Sequence, residues 1–325
     1  MLRANLTATY RRRVLRASDM NRRAFPNPTE SAQQNSDRHW VFAGPRDPII
    51  VVGLERLLGE LEIFLSSWPC QCVAAPAPRA PDVVVEVNER GFRIQSRTAP
   101  TRQAGLDQPS EAAFAVMGGL IGACLVQSDG AVCVHAGAVE LGRGLALLIG
   151  GGKAGKSSVG LQLAARGHRF FGDDRIILQV VGGGEWVTAT CLGFVPKVRL
   201  PLPETCGPRY RDFIEARTFV RDGECALLRL EEPLAAGFGD TQEVAAFILL
   251  DRQPKGPAAL TPVSRTSVLK GLLQSASSPS LSVERIVDDM SELTRAAPCY
   301  ALRFSDSAEA AALVAKELCS ARPEV

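Results

Sequence analysis

Up to residue 38 the apolar positions are sparse and aperiodic; from His39 onward they fall into short runs and helical stripes. Asp47–Leu54 (DPIIVVGL) predicts a strand, and Leu57–Leu65 a short helix. Asp82–Gln95 predicts a hairpin turning at Asn88–Gly91. Pro69–Pro81, rich in Pro and Ala, reads as a connection between them. Helical spacing returns over Glu111–Val126, before a turn at Gln127–Gly130. Ala131–Glu140 (AVCVHAGAVE) reads as one strand and Leu145–Ile149 as another. The turn Leu141–Gly144 between them predicts an antiparallel pair. A glycine-rich loop follows, then a helix from Lys156 to Arg166 ending at Gly167, and a strand over His168–Phe171. Farther on, Glu243–Leu250 and Cys299–Phe304 read as strands, and Ser264–Leu273, Val283–Ala296 and Ser307–Leu318 as helices. Leu272, Leu273, Ile286, Met290 and Leu293 are expected in the core.

This pattern divides the chain into a tail over 1–38, a small α+β lobe over 39–130, and a larger α/β region over 131–320. The lobe contains no defensible catalytic constellation. The tail is expected to be disordered, or to reflect a start placed too early, with Met20 as the alternative. With 46% hydrophobic and 22% charged residues, the chain is neither a disordered polymer nor a small disulfide scaffold. Its formal charge of +2 is an average over unlike parts. Residues 1–38 hold eight arginines against three acids, leaving 29 basic and 32 acidic side chains and a net −3 for the rest. No basic nucleic-acid-binding face is expected of such a body.

The apolar stretch Ala112–Val126 falls short of the roughly 18 residues a membrane span needs, and no secretory signal is evident. The nine cysteines are irregularly spaced, and Cys70-Gln71-Cys72 lacks the partners a zinc site would need. Reduced thiols, and hence a cytoplasmic location, are expected.

Gly150, Gly151, Gly152, Lys153, Ala154, Gly155, Lys156 and Ser157 match G-x-x-x-x-G-K-[ST] in full, with Ser158 continuing the helix. Glycines let backbone N–H groups converge on phosphate oxygens, Lys156 supplies a point charge, and the Ser157 hydroxyl can ligate Mg²⁺. The loop lies between an apolar strand and an amphipathic helix, the context a nucleotide-phosphate loop requires. The helix carries the chain about 16 Å away, and the next strand returns it. Asp173-Asp174 is thereby delivered beside the loop. One carboxylate there can hold Mg²⁺ while its neighbour accepts a proton from an attacking hydroxyl; capping the next segment is the plainer alternative. His135 stands on the preceding strand, where spacing alone fits a packed core residue as well as a catalytic one. His168 reads as structural.

Together, H-A-G-A-V, G-G-G-K-A-G-K-S-S and R-G-H-R-F-F-G-D-D-R resemble the catalytic domain of the HPr kinase/phosphorylase family, closely over 131–180 and diffusely to about 305. The resemblance implies a phosphoenolpyruvate-carboxykinase-like kinase core with a mixed sheet over 131–320, the N-terminal lobe lying outside it. It also places His135, Lys156 and Asp174 at active-site positions. Asp174 would be the base, Asp173 would support the metal beside Ser157, and His135 would position or polarise the phosphate.

The chain departs from the family pattern in two places. Thr188 stands where a metal-binding glutamate aligns, ahead of Cys191-Leu192-Gly193. The family's arginine-rich segment has only Arg252 and Arg265 as candidates. These departures put phosphorylase activity, and HPr as substrate, in doubt. Lys197 and Arg199 supply two cations just beyond the core, for an acidic substrate or as a solvated strand edge.

The expected activity is ATP- and Mg²⁺-dependent transfer of the γ-phosphoryl to a hydroxyl, a serine of a peptide or small protein by analogy with peptide-modification kinases. Neither nucleic acid nor membrane is an expected partner, and self-association is left open. The alternatives are a kinase of a free metabolite and a nucleotide-binding module that transfers nothing.

Overall fold

A computed structural model describes residues 38–320, apart from 66, 99–102, 143, 183–184 and 222; the expected tail, Arg38 excepted, lies outside the described residues. Two compact units emerge. One runs up to Asp129 and takes in Ser278–Ser280; the other comprises Gly130–Ser277 and the chain from Leu281 onward.

The first unit contains β1 (His39–Phe42), β2 (Ile49–Val52), α1 (Leu58–Phe64), β3 (Cys70–Val73), β4 (Val83–Asn88), β5 (Gly91–Ser96), β6 (Gln103–Leu106) and α2 (Pro109–Val126). Its six-stranded sheet has the order β3-β1-β2-β4-β5-β6. The β4–β5 hairpin turns where Asn88–Gly91 predicts. The Pro/Ala-rich stretch, by contrast, holds a strand: Cys70–Val73 pairs antiparallel with β1. Its ladder comes from a distant partner, and the flanking prolines conceal it.

Helix α2 is longer than its apolar run suggests. Its 18 residues are long and apolar enough, by length and composition, to cross a membrane. Ten of them are nonetheless buried. Gly119 and Gly122 face Val83 and Thr98 so closely that a Cβ would clash, which lets the helix lie tight against the sheet. These features mark a core helix.

The second unit begins with β7 (Val132–Val134), β8 (Ala136–Leu141), β9 (Gly144–Ile149), α3 (Lys156–Ala164), β10 (Phe170–Gly172), β11 (Ile176–Val181), β12 (Trp186–Cys191) and β13 (Lys197–Arg199). It continues with α4 (Pro208–Arg217), β14 (Thr218–Arg221), β15 (Cys225–Leu228), β16 (Thr241–Arg252), β17 (Ala259–Pro262), α5 (Arg265–Leu273), α6 (Val283–Leu293), β18 (Cys299–Phe304) and α7 (Ser307–Ser320). The principal sheet has the order β10-β8-β9-β16-β12-β11-β7, with β18 beside β16 and β17 beside β18. Strands β8 and β9 pair antiparallel, whereas β16 runs parallel to both β9 and β18, so the sheet is mixed.

The single strand expected over Ala131–Glu140 is two. Residues 132–134 pair with β11 and residues 136–141 with β9 and β10, and the break falls at His135. In sheet order β7 and β8 stand five spacings apart, roughly 24 Å if the sheet were flat. One residue cannot cover that distance, so the sheet curls until β7 comes round to β8 at His135. The curl encloses an apolar interior of β-strand side chains, including Val134, Leu147, Ile149, Ile176 and Phe247, with Val268 and Leu272 of α5 and Met290 and Leu293 of α6 packed onto it. Leu273 and Ile286 are only partly buried against it. The opposite face carries α3 and α7, through residues such as Val159, Leu163, Ala310 and Val314.

Candidate active site

Two short links cross the seam of the curled sheet. His135 joins β7 to β8, and Asp173-Asp174-Arg175 joins β10 to β11. The seam therefore brings His135 against Asp174: Nε2 of the imidazole lies 2.7 Å from Oδ1 of the carboxylate. The backbone N–H of His135 donates to Ser275 Oγ at 3.1 Å, and that hydroxyl in turn donates to Leu272 O. Ser275 follows α5, whose Gly271 packs on Ile149 and Leu249, so this helix braces the histidine. Nothing in the sequence near Ser275 signals that contact, which spans 140 residues.

The loop that follows β9 enters α3 at Gly155, whose φ of +103° lies in the left-handed region. A Cβ there would stand 2.9 Å from Phe304 Cζ, at the end of β18. We expect Gly155→Ala to lower stability by about 1–3 kcal/mol, measurable by denaturant unfolding. Gly151 and Gly152 face open space. The first backbone bond of the helix runs from Val159 N–H to Gly155 O, so the amides of Lys156, Ser157 and Ser158 have no intrahelical acceptor. Such a helix start favours an anion. Lys156 is buried, and its Nζ donates to the carbonyls of Gly150 at 2.8 Å and Gly151 at 3.2 Å. Burial lowers its pKa, and the charges of Asp173 and Asp174 partly offset that.

Asp173 is only 5% exposed. The Ser157 hydroxyl lies near its carboxylate. Burial, reinforced by the neighbouring charge of Asp174, raises its pKa to about 6 against the pull of Ser157 and Lys156. Gly137 lies between the two partners: a Cβ there would be 3.6 Å from Lys156 Cβ and 3.7 Å from Asp173 Oδ1. Asp174 is the contrasting neighbour. Its side chain is 65% exposed. Its pKa falls because the His135 hydrogen bond and the charges of His135, Arg175 and Lys197 outweigh a desolvation that raises it. Among the described residues, only Lys153 and Asp174 combine a side chain with positive φ, at 71° and 68°. Left-handed backbone of this kind collects at functional sites.

The structure thus gathers His135, Lys156, Ser157, Asp173 and Asp174 around the loop, with Lys197 close enough to act on Asp174. Of three further sequence candidates, Thr188 and Arg265 lie elsewhere and Arg252 lies at the loop end of the sheet. Thr188 sits three residues down β12 from Cys191, the residue in register with Ile176, and its hydroxyl is turned to Gln179 O. Arg252 ends β16 in register with Phe304, on the loop side, whereas Arg265 opens α5 after Pro262, which pairs with Tyr300 toward the far end of β18. No group of three or more His, Cys, Asp or Glu that could hold a metal occurs among the described residues. Ser157 and Asp173 offer two oxygen donors, a set that suits Mg²⁺, which keeps waters and phosphate oxygens as its other ligands.

No family model and no curated protein matches the chain. Among solved structures, the chain is similar to the Hpr(Ser) kinase/phosphatase from Coxiella burnetii. The identity is 13% over 57% of this chain and 91% of that one, with a TM-score of 0.28. A likeness at that score is distant and carries no weight for function.

Proposed function

We propose that the chain is an ATP-dependent kinase that transfers the γ-phosphoryl to a hydroxyl, that of a serine in a peptide or small protein. One observation carries the reading: a carboxylate only 5% exposed, Asp173, is held beside the lysine and the serine of a phosphate-type loop. Burying a carboxylate costs stability, and here the cost shows as a raised pKa. A fold that keeps such a group at a glycine loop has a use for it.

In this reading the amides of the loop and the start of α3 hold the phosphates of ATP, and Lys156 leaves its carbonyl partners to bind them. Ser157 and Asp173 would hold Mg²⁺, which supplies neutralisation of the β- and γ-phosphate oxygens. Asp174 is ionised across the neutral range, with Oδ1 fixed by His135 and its other oxygen open to an incoming hydroxyl. The serine oxygen bonds to the γ-phosphorus, the bond from that phosphorus to the β–γ bridging oxygen breaks, ADP leaves, and the serine proton passes to Asp174. His135 keeps the carboxylate aimed, and Ser275 keeps His135 in place.

The test of the reading is transfer of label from γ-labelled ATP to serine peptides. The nucleotide half can be checked separately. Lys156→Met is expected to weaken MgATP binding by about 10–100-fold, the worth of a charge-assisted hydrogen bond, in calorimetric titrations.

A further inference from the structure

The three-stranded sheet β13-β15-β14 has β13 at its edge. Lys197 is in register with Leu227, Val198 with Ala226 and Arg199 with Cys225. Backbone bonds join Leu228 N–H to Pro196 O at 3.0 Å and Leu200 N–H to Glu224 O at 2.7 Å. In an antiparallel ladder the bonded positions alternate, so 196, 198 and 200 face β15. The N–H and C=O groups of Lys197 and Arg199 therefore point to the open edge. Their side chains are exposed while Val198 is buried, so both cations stand on one face. The side chain of Arg199 has no hydrogen-bond or ion-pair partner among the described residues. The chain reaches β13 six residues after Cys191, which is in register with Ile176, two residues beyond Asp174, and the charge of Lys197 is felt at that carboxylate.

An open strand edge beginning beside the proposed base is a template for an extended peptide. Resting on the kinase reading above, we infer that the free edge of β13 docks the substrate as an added strand. The acceptor serine lies opposite Lys197 with its hydroxyl toward Asp174. Side chains two residues apart share a face, about 7 Å along the strand. An Asp or Glu two positions from the serine then meets Arg199. The substrate class is an extended acidic segment, and the backbone pairing sets its register.

The experiment uses the full chain, labelled ATP and peptides with one serine, carrying Glu, Gln or Lys two residues to either side. Transfer efficiency, as kcat/KM, is expected to be at least tenfold higher for Glu than for Lys. Arg199→Gln should flatten the order and Arg199→Glu should invert it, with MgATP affinity and circular dichroism unchanged in both. N-methylation of the Glu amide, which removes a ladder donor, should cost a further tenfold or more. Equal efficiencies for all peptides, N-methylated ones included, would overturn the docking edge and leave the kinase reading standing. No transfer to any of them by a chain that binds MgATP would overturn the serine-peptide reading and the edge with it.

Discussion

Asp174→Asn is expected to lower the rate of phosphoryl transfer by about 10²–10⁴-fold, the usual worth of a positioned general base. The asparagine keeps the volume and can still accept the His135 hydrogen bond, so the 2.7 Å pairing across the sheet seam survives. What is lost is the ability to take a proton. MgATP affinity should therefore stay within about threefold, because Lys156, the loop amides, Ser157 and Asp173 are untouched. Rapid-quench measurement of phosphopeptide formation separates the two effects. A parallel loss of binding and transfer would mean that Asp174 holds the nucleotide and is not the base.

Asp173→Asn should instead raise the stability of the fold. The folded pKa of Asp173, about 6, lies above its ordinary value of 3.8. The stability associated with this group is thus fully present below pH 4 and is lost as pH rises through 6. At pH 8, with metal chelated, the ionised carboxylate costs on the order of 3 kcal/mol, and Asn, which cannot ionise, escapes that cost. The substitution should raise Tm by several degrees in EDTA at pH 8, the gain shrinking to nothing toward pH 4. In the wild type, added Mg²⁺ should recover much of the difference, and in the variant it should do little. Transfer by the variant at limiting Mg²⁺ should collapse. A Tm difference that does not change with pH would show that Asp173 is not the buried acid described here.

The site was legible in the sequence where its parts are local. The loop from Gly150 to Ser157, the helix after it and the returning strand are contiguous, and rise-per-residue arithmetic suffices to bring Asp173-Asp174 home. The parts set by long-range geometry were not legible. Apolar alternation runs through Ala131–Glu140 without a break, so nothing local shows that the strand changes partners at His135. That change follows from sheet closure, which depends on β11 and β12 many residues away. Ser275 reaches His135 through the packing of α5, and no motif announces it. Strands β1, β3, β6, β11, β12, β14, β15 and β17 were not read as strands for a related reason: short strands take their conformation from the neighbour they pair with. Helix α4 did carry a signal, with Pro208 at its start and Tyr210, Phe213 and Ile214 on one face, all buried. Its charged remainder hid it.

The same limit applies to β13. Pro196–Pro201 showed two cations and a strand edge, but only the register with β15 reveals which backbone groups are spoken for. In the first unit the α2 stripe was visible, and its full extent depended on Pro109 serving as a helix start.

The central claim is that the seam residues and the phosphate loop work as one site for transfer to a hydroxyl. The most direct measurement is a single-turnover reaction of the wild type and Asp174→Asn with γ-labelled ATP, Mg²⁺ and the Glu-bearing serine peptides, with label followed into phosphoserine and into inorganic phosphate. The account predicts label in phosphoserine for the wild type and almost none for the variant, with both proteins holding ATP equally well. Equal phosphoserine from the two proteins, or label appearing only as inorganic phosphate, would contradict it.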